Sequence, residues 1–194
     1  MNADNNITGI ILAGGKSTRM GTDKGLLKIE NKTFVACVID AVKPLVDDII
    51  IVSDNPDYDQ FGFKRIDDII KEAGPVAGLY AGLKHSKTDD NLVLSCDVPM
   101  ISTEVLGQLL KPEFYSYEVV QIQSKGKTMP LIARYKKDCL TTCYNLLMKG
   151  ERRLRLAVSQ FNTKSVLIDE KHSDVVKNVN TKEDLETINY DIER

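Results

Sequence analysis

An apolar run from Ile7 to Ala13 leads straight into Gly14 and Gly15, and Lys16, Arg19 and Lys24 follow close behind. No other stretch restricts the fold as much. The run reads as a buried strand, and a strand that empties into adjacent glycines and cations reads as a phosphate trap. Glycines let backbone amides approach a ligand and take positive φ, so several N–H groups can converge on phosphate oxygens. Arginine adds a two-pronged donor and lysine a point charge. The bland alternative is a structural turn with incidental cations. Two familiar traps are excluded by spacing. A P-loop needs glycine five positions before the glycine that precedes the lysine, where Ile10 stands, and GxGxxG fails because Lys16 sits two positions after Gly14.

Apolar runs recur at Asp48 to Val52 and Asn91 to Ser95. Between the first two strands Phe34, Cys37, Val38, Ala41, Val42 and Leu45 repeat at helical spacing, and Ala77 to Lys84 and Thr103 to Leu110 give further helices. This alternation predicts an α/β fold, Rossmann-like and three-layered, with a doubly wound, mainly parallel sheet, helices on both faces and ligands outside the carboxyl ends of the strands. Val119 to Gln123 and Met129 to Arg134 flank the turn Ser124 to Lys127, which suggests a hairpin forming a small lobe over the sheet. Helical patterns follow at Lys137 to Met148 and Arg152 to Ser159, then a strand at Ser165 to Ile168 and a closing helix at Lys182 to Asn189. With no repeat or linker, one domain is expected over residues 1–194.

Composition removes several function classes. Hydrophobic residues at 42% and charged residues at 28% are globular values, and a net charge of −2 offers no general attraction to nucleic acid or anionic lipid. No apolar run approaches the roughly 20 residues of a membrane span. The start Met1, Asn2, Ala3, Asp4 lacks a basic leader, so a cytoplasmic setting is expected. Cys37, Cys96, Cys139 and Cys143 show no paired ligand spacing and read as reduced, mostly buried thiols. His85 and His172 give a histidine metal site or a catalytic triad little to build on.

Leu12 to Lys24 resembles the LAGGxSxRMGxDK signature of the nucleotidyltransferases, and among them the molybdenum cofactor guanylyltransferases, the MobA-like family. The resemblance implies a fold of the nucleotide-diphospho-sugar transferase type, with a nucleotide-binding half at about 1–100 and a pterin- or acceptor-binding half at about 101–194. It also implies a turn that wraps GTP, with Leu12, Ala13, Gly14 and Gly15 along the nucleotide and Lys24 and Arg19 on the phosphates. Relatives that use CTP more often carry LAAG, so Gly14 tilts the likeness towards guanine. The implied reaction transfers GMP from GTP to the phosphate of Mo-molybdopterin and releases pyrophosphate. Proteins that deliver molybdopterin or mature molybdoenzymes are the further partners implied.

Asp97 ends the strand before Val98 and Pro99, where a carboxylate projects at the ligand edge. Mg2+ takes one or two carboxylates and completes its shell with water and phosphates, so a lone aspartate there suffices, against the plain reading of a helix cap. Ser95 to Pro99 is also similar to the family's CDxP motif, which implies metal binding and a catalytic role for Asp97. Asp67 and Asp68 both precede Gly74 to Leu79 and are inseparable by sequence alone. Counting back from this GPxAGL motif, the likeness implies Asp67 near the ribose or base. Gly78 serves close packing or ligand approach, and Asn55 opens an Asn–Pro turn, with a nucleotide contact implied only by the resemblance.

Asn178 to Leu185 contains a helix start capped by Asn180 or Thr181. It is also similar to the family's NVNTPEDL ending, with Lys182 in place of proline, which implies that Asn178 and Asn180 position the pterin. Arg152, Arg153 and Arg155 read as a solvated helical face or, at Arg153, as a contact to the molybdopterin phosphate. Two rival readings stand beside the main one. One is the same chemistry with CTP or an isoprenoid or sugar phosphate acceptor, and the other is a non-catalytic nucleotide sensor.

Overall fold

The computed structural model describes residues 6–14, 23–68, 74–181 and 183–187. β1 (Ile7–Leu12) is buried at every position, as an apolar strand sandwiched between two helical layers must be. A small ribbon of β2 (Lys28–Ile29) and β3 (Lys32–Thr33) leads into α1 (Phe34–Val42), where the Thr33 hydroxyl accepts from the Ala36 amide and caps the helix. Then come β4 (Asp48–Val52), β5 (Lys64–Ile66), α2 (Pro75–His85), β6 (Asp90–Ser95) and α3 (Thr103–Gly107). Proline at the first position of α2 and the Ser102 cap of α3 are the start signals expected of such helices. The second half supplies β7 (Val119–Ser124), β8 (Lys127–Lys136), α4 (Cys139–Met148), α5 (Leu154–Val158) and β9 (Thr163–Leu167), and residues 183–187 are helical.

One seven-stranded sheet runs in the order β5-β4-β1-β6-β8-β7-β9. β8 is antiparallel to both its neighbours, and the other strands run one way. Alternate residues of β1 feed two cores. Ile11 joins Val38 of α1 and Val105 of α3 on one face, while Ile10 and Leu12 join Leu79 of α2, Cys143 of α4 and Ala157 of α5 on the other. α2 lies hard against β1 because Gly82 carries no side chain. A Cβ there would stand 2.4 Å from the Ile10 Cγ2.

The hairpin is not a lobe over the sheet. Lys125 and Gly126 both take positive φ between paired Ser124 and Lys127, the geometry of a two-residue type I′ turn, but β8 then continues along β6 from Ile132 to Lys136. Arg134 and Lys136 make that stretch look like surface in the sequence. Asp90 on β6 is the reason they are not. It pairs with the fully buried Arg134 and accepts from Lys136 at 2.9 Å. Arg134 also donates to the carbonyls of Phe114 (3.0 Å) and Tyr117 (2.8 Å), so its charge is hydrogen-bonded inside the sheet. The closing helix lies within the described residues only at 183–187.

Candidate active site

A cavity of about 640 Å³ opens at the carboxyl ends of β1, β4 and β6, within the size range of small-molecule sites. Leu12, Ala13 and Gly14 leave β1 along one wall, and Asp54 and Asn55 leave β4 along the next. Gly74 at the start of α2 closes the far side. Its φ of 74° is the left-handed region that favours glycine. Gly78 lines the same wall, and a Cβ there would meet Leu12 Cδ2 at 3.4 Å, so its bare backbone serves both close packing and the cavity.

Asp23, which also lines the cavity, is a hydrogen-bonding node directly before Lys24. Its carboxylate accepts from the Tyr58 hydroxyl at 2.6 Å, the Asn55 amide at 3.0 Å and the Gly25 backbone N–H at 3.1 Å. Tyr58 is fully buried, and burial, followed by the neighbouring Cys96 and Asp23, pushes its hydroxyl far above the ordinary range, so it remains a neutral donor. Gly25 is required by the same packing, since a Cβ would stand 2.2 Å from that hydroxyl. Asn55 holds two posts at once, because its Oδ1 also accepts from the Asp57 amide at 3.0 Å and caps the turn after β4.

Next to this node the structure joins residues that are far apart in the chain. Lys24 Nζ donates to Asn180 Oδ1 at 2.5 Å, and Asn178 Nδ2 donates to Asp97 Oδ2 at 3.2 Å. Between the two asparagines, Val179 is buried with Ile29 and Phe34, and its N–H donates to the Asp97 carbonyl at 2.8 Å. The Asn-Val-Asn segment thus anchors its middle residue in a small core and turns an amide on each side to one ionisable group. Asp184 caps the helix that follows, accepting from the Asn180 and Thr181 amides, which hold its carboxyl below the usual range.

Asp97 Oδ1 is buried and has no partner among the described residues. No group of three or more His, Cys, Asp or Glu stands together among those residues. One available carboxylate oxygen without a ready-made cage fits Mg2+, which fills most of its shell with water and substrate phosphates.

The structure separates the two acids left open by the sequence. Asp68 lines the cavity, and its amide donates to Asp54 Oδ1 at 2.9 Å. Asp67 is 71% exposed at its side chain and pairs with Arg65, which also grips Asp59 and the Ser53 carbonyl. The count back from the glycine motif falls one residue short of the cavity wall, because Asp67, just past the end of β5, answers the charge of Arg65 on that strand. Arg153 is likewise placed outside the cavity lining. It is 75% exposed and forms a forked pair with Glu151, whose carboxyl it lowers to about 2. Gly15 and Arg19 lie outside the described residues. Sequence reasoning passed over Asp23, Tyr58 and Asp54. Asp23 stands inside the quoted signature, but nothing local reveals that Tyr58 is its partner.

A family model for the MobA-like NTP transferase domain matches residues 9–164. The chain belongs to that family. A relative from Flavobacterium johnsoniae, named as a probable molybdenum cofactor guanylyltransferase, is 32% identical over 96% of this chain and 98% of its own. The molybdenum cofactor guanylyltransferase of Yersinia pestis is 34% identical over 92% of this chain and 93% of its own. Among solved structures, molybdopterin-guanine dinucleotide biosynthesis protein A from Archaeoglobus fulgidus has the same fold, with a TM-score of 0.81 at 20% identity over 96% of this chain and 98% of that one. The 4-diphosphocytidyl-2C-methyl-D-erythritol synthase of Anaerococcus prevotii shares it at a TM-score of 0.77 and 15% identity, covering 98% and 97%. The MobA-like family therefore supplies the nucleotidyltransferase class.

Proposed function

We propose that this enzyme transfers GMP from GTP to the terminal phosphate of Mo-molybdopterin. A phosphate oxygen of the acceptor bonds to the α-phosphorus, the bond to the β-phosphate breaks, and pyrophosphate leaves with the electron pair. An ionised phosphate is already a nucleophile, so no general base is needed, and catalysis reduces to alignment and charge neutralisation. Lys24 meets the phosphates, Asp97 holds Mg2+, and the turn from Leu12 onward carries the nucleotide. When bound, Mg2+ offsets the charge of the departing pyrophosphate. Arg19 and Gly15 keep the phosphate-side roles that the signature implies.

The observation that carries the reading is the joining of Lys24 and Asp97, through Asn180 and Asn178, beside a nucleotide-sized cavity. Asp54 and Asp68 on the cavity wall support guanine, whose N–H edge calls for acceptors. We place the exchange in the cytoplasm, where the four free thiols are stable and where proteins can hand over molybdopterin and take the product. Calorimetry with GTP, CTP, ATP and UTP in the presence of Mg2+ tests the base, and pyrophosphate release with Mo-molybdopterin tests the reaction. Selective GTP binding with acceptor-dependent release is expected. Preference for CTP overturns the named substrate, and binding without release overturns the enzyme assignment in favour of a sensor.

A further inference from the structure

A second cavity, of about 340 Å³, lies between α5 and the strands β7 and β9. At its floor is Gln121, only 5% exposed. The Gln121 Nε2 donates to Ser165 Oγ at 3.2 Å, its register partner on β9, while Oε1 is buried with no partner among the described residues. Turning the amide over changes only which atom is left over, because Ser165 would then serve the oxygen and leave the nitrogen without a partner. Buried polar groups are rarely left so, and one that is calls for an explanation.

The cavity neighbours the first one where the strand register is irregular. Pairing of β7 with β8 jumps from Gln121 opposite Ala133 to Ile122 opposite Met129. Such irregularities re-aim side chains and gather near active sites. Here they place consecutive residues on two walls, Leu131 on the nucleotide cavity and Pro130 on this one. Ala133 also pairs with Val93 of β6, so Gln121 lies two strands, or about 10 Å, from β6, and Asp97 stands two residues past the end of that strand.

We infer that this cavity binds the pterin ring of the acceptor, with Gln121 reading the ring's amide edge. That edge places N–H donors beside a carbonyl acceptor, so it satisfies the unpaired end of the carboxamide whichever way it is turned. Pro130, Val158 and Phe161 give a flat ring apolar walls, and Arg155, exposed at the rim, faces the anionic part of the molecule. The inference rests on the proposed reaction. Guanine carries the same amino-oxo edge, but the cavity beside the glycine-rich turn already accounts for the nucleotide.

The test uses the intact chain with pterin-6-carboxylate, followed by its fluorescence, and with Mg2+ and GTP, followed by calorimetry. Gln121→Leu should weaken pterin binding about tenfold, the effect of one lost buried hydrogen bond. Ser159→Trp, which fills the cavity without touching Gln121, should abolish pterin binding and serves if Gln121→Leu does not fold. Both variants should bind GTP as the wild type does. Unchanged pterin binding in either variant overturns the inference, as does a wild type that takes up no pterin at millimolar concentration. A matching fall in GTP affinity also overturns it by assigning the cavity to guanine. The parent reaction is judged separately by wild-type pyrophosphate release with Mo-molybdopterin. Normal release with an unchanged acceptor KM in Gln121→Leu sinks the cavity assignment alone.

Discussion

The two sides of the active site are built differently. On the side proposed for the nucleotide, contiguous backbone does most of the work: β1 runs into Gly14, Gly74 leads into α2, and Gly78 leaves room above Leu12. On the side proposed for the acceptor, asparagines reach in from far along the chain, Asn178 to Asp97 across 81 positions and Asn180 to Lys24 across 156. Backbone devices leave a local spacing in the sequence, whereas long-range pairs leave none. The nucleotide side should therefore tolerate loss of single side chains better than the acceptor side does.

The sharpest way to break this comparison is at Asp97. Asp97→Ala should lower kcat about a thousandfold, as removal of a group that stabilises developing charge does, with thermal unfolding lowered only slightly, because Oδ1 has no partner among the described residues and the one side-chain bond lost is that from Asn178 to Oδ2 at 3.2 Å. Normal turnover in this variant sinks the metal assignment. Next comes the buried charge of the acceptor half. Arg134→Met should cost about 3 kcal/mol of stability by removing one member of a buried pair, read as a lower denaturant midpoint at constant slope. If stability is unchanged, Lys136 alone satisfies Asp90 and the Arg134 contacts are incidental. A smaller effect belongs to the asparagines. Asn180→Ala should reduce kcat about tenfold, equivalent to one hydrogen bond to a charged group, and leave GTP affinity in place. A loss confined to GTP affinity would move Asn180 to the nucleotide side.

How much could be read in advance follows the same division. The strand from Asp48 to Val52 appears in the structure with the expected limits, and the β1 and β6 runs differ by a residue, because a buried parallel strand is apolar throughout and ends where it meets water. The hairpin was legible as a hairpin, but its place in the sheet was not, since that depends on Asp90 supplying the charge that lets Arg134 sit inside. Lys24 and Asp97 were nominated from motif and strand end, and the structure sets each beside an asparagine of one segment. Asp68 replaced Asp67 on the cavity wall through a pairing with Arg65 that strand spacing does not encode. Arg153 turned to Glu151 for an equally local reason.

Tyr58 offers the finest test, because it lies on the nucleotide side yet acts as a side chain. Its hydroxyl is one of three donors to the Asp23 carboxylate among the described residues, and Asp23 precedes Lys24 directly. Tyr58→Phe keeps the buried ring and removes only the hydroxyl. The carboxylate retains Asn55 and the Gly25 amide, so the loss should be about 1 kcal/mol, the usual net value of a single hydrogen bond. If Asp23 serves only to hold the fold, that loss appears in the unfolding midpoint while kcat and KM stay as they were. If it aims Lys24, kcat falls several-fold with the KM for GTP nearly constant. The mutation also removes the atom that excludes a methyl group at position 25, where a Cβ would stand 2.2 Å from the hydroxyl. Gly25→Ala should accordingly be far less damaging when combined with Tyr58→Phe than alone. Additive effects of the two changes would mean that the hydroxyl and Gly25 do not share one packing constraint, and the nucleotide side would then owe its geometry to backbone alone.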